Sequence, residues 1–167
     1  GGVEKIYPGE ERILVKSPDV ATYDLKPEMS SQEVTKAIKH AVESDKFDFI
    51  AVNYANSDMV GHTGNFEAAV MAIEALDRAL SEWIPIAQKH HYEILITADH
   101  GNSEQMQDYE TGEPFTQHTT GPVPLILVSA HKYQLKPNGR LCDIAPTILE
   151  LLGIEKPLTM TGSSLIG

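Results

Sequence analysis

Two β-rich apolar runs flank one long helical pattern, and that alternation limits the fold more than any other feature of the chain. "FDFIAVNYA" at residues 47–55 and "YEILITA" at 92–98 both have strand character. Between them Ala69, Ile73, Leu76 and Leu80 recur at helical spacing, which predicts a helix from Phe66 to the mid-80s. Pro85 should kink or end it. A third apolar run, "VPLILVS", lies at 123–129. Upstream, Ser30 or Ser31 would cap a helix with Glu33 in its first turn and Val34, Ala37, Ile38, Ala41 and Val42 on one face. "CDIAPTILELLGI" at 142–154 reads as a short helix, capped by Asp143 and closed by Gly153. Strand and helix thus alternate, predicting an α/β fold with a mainly parallel sheet flanked by helices and a right-handed βαβ unit around the long helix. Residues 1–29 are rich in Pro and turn formers and read as an extended arm with short strands; 30–167 form the α/β core.

In parallel α/β sheets, ligand sites lie beyond the carboxyl ends of the strands. The segment after the first run carries Asp58 and His62, and the segment after the second carries Asp99 and His100. His118, in "PFTQHTTGPVP", precedes the third run. Asp and His are oxygen and nitrogen donors that suit Mn, Zn or Fe, and Mg less well. No Cys lies nearby, which excludes a structural Cys-type zinc site. The Asp58-x-x-x-His62 spacing would share one helical face, but Gly61 and Gly64 favour a loop. Asp99 and His100 would point apart on extended backbone unless a turn at Gly101 re-aims them, toward two neighbouring metals. Paired ions ~3.5–4 Å apart are a standard clamp for a phosphoryl group.

Each residue alone has a plainer reading: Asp58 as a turn cap, His62 as a hydrogen-bonded histidine, "DHG" as a turn. The functional reading rests on their conjunction at strand ends. His90 and His91 suit the end of a helix. His40 and His131 receive no role, and Cys142 is expected to pack near a helix start. There is no Ser-His-Asp triad, G-x-S-x-G, P-loop or G-x-G-x-x-G. Nothing local marks Thr119 or Thr120 as activated, so no nucleophile is assigned.

The formal net charge of -11 and pI of about 5.0 argue against nucleic-acid binding and against attraction to anionic membranes. Such a chain binds phosphate only where cations supply the positive charge. One cysteine among 167 residues rules out an internal disulfide. No apolar run approaches the ~20 residues of a membrane span. No signal peptide is visible, and a cytoplasmic protein is expected. The missing initiator Met suggests a processed or truncated product, with Gly1 and Gly2 as a tag remnant in the alternative.

Five segments in order carry a resemblance: "SPDVATYDLKPEMS" at 17–30, "NYANSDMVGHTG" at 53–64, "TADHGNSEQM" at 97–106, "HTTGPVPLIL" at 118–127 and "DIAPTILELLGIEKPLTMTGSSL" at 143–165. They resemble the 2,3-bisphosphoglycerate-independent phosphoglycerate mutase family of the alkaline phosphatase superfamily. The resemblance implies an isomerase of glycolysis and gluconeogenesis that interconverts 2- and 3-phosphoglycerate through a phosphoserine, without 2,3-bisphosphoglycerate. It implies two divalent ions, Mn expected, with Zn or another divalent metal as the alternative. Asp58, His62 and His118 resemble the ligands of one ion, and Asp99 and His100 those of the other. Family members are longer. The part with the nucleophilic Ser and a further Asp ligand, and an inserted substrate domain, have no counterpart here, so the expected product is the C-terminal part of a phosphatase-like domain, inactive alone. The parent would be a monomer, and the fragment would self-associate or change locally where its partner is lost. The alternatives are a phosphatase or phosphodiesterase of the same superfamily, or a non-enzymatic metal-binding remnant.

Overall fold

The computed structural model describes residues 5–167; the first four residues of the expected arm lie outside it. Residues 5–30 pass through a turn where Glu10 N–H bonds to Tyr7 O, a 3-10 turn at Tyr23–Leu25 and a further turn at 27–30 that buries Pro27 and Met29. No strand forms in the described part of the arm, contrary to expectation. Its end is pinned by the Ser30 hydroxyl donating to Lys16 O at 2.7 Å and by Asn56 Nδ2 donating to Pro27 O at 2.9 Å.

Helix α1, Ser31–Glu43, forms as its periodicity predicts and buries Ile38, Ala41 and Val42. Helix α2, Asn56–Gly61, precedes α3, Phe66–Lys89. Asn65 caps α3 by accepting from Ala68 N–H. Pro85 does not end it: the helix continues to Lys89. The turn beyond the proline is held by Ala87, 1% exposed, whose carbonyl also takes the N–H of Tyr92. The buried stripe of α3 only partly follows the expected one: Ala69 is buried and Leu76 and Leu80 are half-buried, but Ile73 is 46% exposed and Ala68, Ala72, Ala75 and Ala79 complete the inward face. Small side chains let α1 and α2 approach its backbone closely.

Strands β1, Ile94–Thr97, and β2, Leu125–Val128, form one two-stranded sheet. It is antiparallel, with Ile94 opposite Val128 and Thr97 opposite Leu125. The expected parallel sheet is not present among the described residues. The reason lies in the connection: residues 98–124 contain no helix to carry the chain back across the sheet, so β2 returns beside β1 in the opposite sense. Residues 47–55, the first expected strand, join no ladder; the chain bends at Asp48 and Ala55 already has helical backbone as the N-cap of α2. They are held by side chains, with Tyr92 Oη donating to Phe47 O at 2.5 Å and Tyr54 Oη sharing a 2.8 Å bond with Thr35 Oγ1.

Helix α4, Ile144–Leu151, follows a 3-10 turn at Leu141–Asp143 and closes at Gly153, φ +68°, as expected. Asp143 occupies the cap position, but its side chain does not cap α4. Its carboxylate takes the N–H groups of Ser163 and Arg140, both at 2.8 Å. Cys142, expected to be packed, is exposed. Two apolar clusters hold the molecule: Met29, Val60, Ala68 and Ala72 join the arm to α2 and α3, and Ile38, Val42, Ala87 and Ile94 join α1, α3 and β1. Among the described residues no helix is long and apolar enough to cross a membrane.

Candidate metal centre

Asp58 and His62 sit one helical turn apart, where α2 puts them on a common face. This corrects the expected loop. Val60, fully buried, anchors the turn in the core, and His62 keeps helical backbone at φ -61° as the C-cap. The reversal comes later, at Gly64, φ +71°. Asp99 and His100 lie just past the carboxyl end of β1. His118 precedes β2, and because β2 is antiparallel its amino end lies beside that same edge. In a parallel pair His118 would sit at the far end of the sheet. A backbone bond from Thr119 N–H to Gly101 O, 2.9 Å, fastens the two segments together. A Cβ on Gly101 would overlap Thr119 Oγ1 and Glu104 Oε1, so a larger residue there would displace the Thr119–Glu104 contact.

Three donor atoms converge in consequence. Asp58 Oδ1 lies 3.1 Å from His62 Nε2 and 3.2 Å from His118 Nε2, and the two nitrogens are 3.0 Å apart. His62 Nδ1 lies 2.7 Å from Thr116 O and donates to it. That bond fixes the tautomer of the neutral ring and turns the Nε2 lone pair inward. With the His62 Nε2 lone pair turned inward, the three atoms can lie this close around either a proton on His118 Nε2 or a shared cation. An ion ~2.1 Å from three donors at right angles would space them ~3.0 Å apart. Donor chemistry and spacing therefore both fit a divalent metal.

His100 joins the cluster from the side. Its ring stacks on His118 with centroids 3.7 Å apart and 20° between planes, and its Nδ1 is 4.0 Å from Asp58 Oδ1. Asp58, His100 and His118 offer ligand atoms that all lie within 4.8 Å of one another. Asp99 Oδ2 is 3.6 Å from His100 Nε2, so the adjacent pair converges rather than pointing apart. The Asp99 side chain is 85% exposed and forms the open edge.

Sequence reasoning gave no role to Asn102 or Glu104, although both stand in the quoted "TADHGNSE". Asn102 N–H donates to Glu104 Oε2 at 2.7 Å, and the Thr119 hydroxyl donates to Glu104 Oε1. That hydroxyl first, then backbone N–H groups and nearby His100, hold the Glu104 carboxyl below its usual range, against the opposing effect of burial. Glu104 therefore ties the His100 segment to the His118 segment as a carboxylate. Their proximity to the ligands in sequence was visible; their partners arise only in the folded chain.

Residues 1–156 match the family model described as the metalloenzyme superfamily. The chain belongs to the metalloenzyme superfamily. Within it, the chain is 59% identical to the 2,3-bisphosphoglycerate-independent phosphoglycerate mutase of Acetivibrio thermocellus over 99% of its own length and 32% of that protein. It is 57% identical to the enzyme of the same name from Hahella chejuensis, with the same coverage. The fold superposes on crystal structures of Leishmania mexicana phosphoglycerate mutase at low cobalt concentration with a TM-score of 0.83 and 31% identity. That match covers 92% of this chain and 31% of the other. The chain thus spans about a third of the length of these superfamily relatives.

Proposed function

We propose that this chain supplies the metal-binding part of a phosphoglycerate mutase that interconverts 2- and 3-phosphoglycerate without 2,3-bisphosphoglycerate. The observation that carries the reading is the triangle of Asp58 Oδ1, His62 Nε2 and His118 Nε2, with sides of 3.1, 3.2 and 3.0 Å. The names of the relatives point the same way. Asp58, His62 and His118 would hold one divalent ion, and Asp99 and His100 a second beside it. When bound, the ions supply the positive charge that stabilises a phosphoryl group in transfer, which a chain of net charge -11 otherwise lacks. Mn is the expected metal, with Zn or another divalent ion able to occupy Asp/His donors.

The chain's own groups do the holding. Thr116 O orients His62, the stack on His100 fixes the His118 ring, and Glu104 binds the two loops. Substrate is open to the site from the Asp99 side. The nucleophilic Ser and the basic residues for substrate belong, on this reading, to the remainder of the longer relatives, in which residues 47–55 also find a strand partner in a larger, mainly parallel sheet. The phosphoglycerates are then substrates of the whole protein, a cytoplasmic monomer of glycolysis and gluconeogenesis.

The test is interconversion of the two phosphoglycerates by the protein at the relatives' full length, with no 2,3-bisphosphoglycerate added. Activity should depend on divalent metal and vanish in Asp58→Asn and His118→Ala, while the 167-residue chain alone turns over nothing. Activity in either variant, or release of phosphate without isomerisation, would overturn the proposal.

A further inference from the structure

We infer that Asn102 is a positioning residue that sets the ligand Asp58 in its metal-binding orientation, and that position 61 is glycine to leave room for it. The inference rests on the metal-binding reading above. Asn102 is 5% exposed and reaches from the loop after β1 to α2. Its Nδ2 donates to Asp58 Oδ1 at 2.8 Å and to Asp58 O at 3.3 Å. Both donated bonds thus go to one residue, one to its carboxylate and one to its backbone.

The other end of the amide shows what the residue is kept for. Asn102 Oδ1 is buried and has no hydrogen-bond partner. Turning the amide over would not help, because Oδ1 would then face the Asp58 carboxylate. The side chain therefore retains an orphaned buried acceptor in order to present its donor to Asp58. Gly61 is shaped around the same atom: a Cβ there would overlap Asn102 Oδ1 and lie 2.9 Å from Asn102 Cγ and 3.1 Å from Ser103 Oγ. Ser103 adds a second grip on α2, its hydroxyl donating to Ser57 O at 2.6 Å.

A carboxylate oxygen has two lone pairs. On Asp58 Oδ1 the amide takes one, and the other is directed at the two His nitrogens. Without the amide, Asp58 is free to rotate toward solvent, and ordering it would weaken every ion the triangle binds. Losing a hydrogen bond behind a metal ligand commonly lowers metal affinity 10–100-fold.

The experiment is a Mn²⁺ titration of the full chain by calorimetry, with visible absorption of the Co²⁺-loaded protein as the signature of ligand geometry. Asn102→Ala should bind Mn²⁺ about 10–100-fold more weakly and change the Co²⁺ bands. Should it fail to fold, Asn102→Ser, too short to reach the carboxylate, takes its place. Gly61→Ala keeps every polar group yet displaces the amide, and should reproduce the loss. The double variant should bind about as well as Asn102→Ala alone, since the new Cβ then meets only the rotatable Ser103 hydroxyl, at 3.1 Å. Variants that melt lower but keep the affinity and the Co²⁺ bands would overturn the positioning role alone. No ion uptake by the unaltered chain would overturn the metal-binding reading and this inference with it.

Discussion

Asp143 shows how far a single residue can be read from sequence. Its place at the start of α4 is legible, because a short acid before an apolar helical run reads as a cap. Its bond to Ser163 is not, since no local pattern announces a contact twenty positions away. The N–H of Ser163 first, then that of Arg140, hold its carboxyl below the usual range. A carboxyl lowered in the folded state adds stability above its unfolded pKa of about 3.9, and that contribution is lost as pH falls through the folded value. Thermal melts should therefore find Asp143→Asn less stable than the unaltered chain near neutral pH, with the gap closing as pH drops through the range below about 4. A gap that stays constant to about pH 2 would show that the two N–H bonds do not act through charge. The ligands divide in the same way. Asp58, His62, Asp99, His100 and His118 stand out in sequence as donors near strand-like runs, whereas Asn102 becomes visible only when its amide is seen against Asp58.

At the scale of elements, helices α1, α3 and α4 and strands β1 and β2 were legible, whereas α2 and the direction of strand pairing were not. Helices α1 and α3 followed their apolar spacing, though the buried face of α3 proved to be its alanines. Helix α2 was hidden because Gly61 and Gly64 argue against helix locally, while burial of Val60 and the space taken by Asn102 favour it. Pairing direction was equally hidden: β1 and β2 are apolar runs in either sense, and only the helix-free connection decides. Helix α2 carries two of the five candidate ligands, so its anchoring is testable. Val60→Ala removes two methyl groups from a fully buried position and should destabilise the chain by about 1–3 kcal/mol in urea unfolding. It should also weaken metal uptake, because the turn holding Asp58 and His62 loosens. An unchanged unfolding midpoint would mean that α2 is not anchored through Val60.

For the whole molecule, the exposed apolar surface matters most. Residues 47–55 join no ladder, and Phe49 and Val52 there are 53% and 41% exposed. Phe66 and Ile126 are exposed as well, at 65% and 50%. Backbone outside any ladder beside exposed apolar side chains favours association. The purified chain should therefore show a molar mass by light scattering that rises with concentration, and Phe49→Lys should suppress the rise; a constant monomer mass would contradict this. The alternation of helices and strands was legible, but the direction and extent of the sheet were not: β1 and β2 pair antiparallel, and 47–55 joins no ladder among the described residues. The central claim is that three separate segments bring Asp58, His62 and His118 together as metal ligands, and calorimetric titration of this chain with Mn²⁺ tests it most directly. A saturable site present in the unaltered chain and lost in Asp58→Asn is the expected result; no binding, or binding that Asp58→Asn leaves intact, would contradict it.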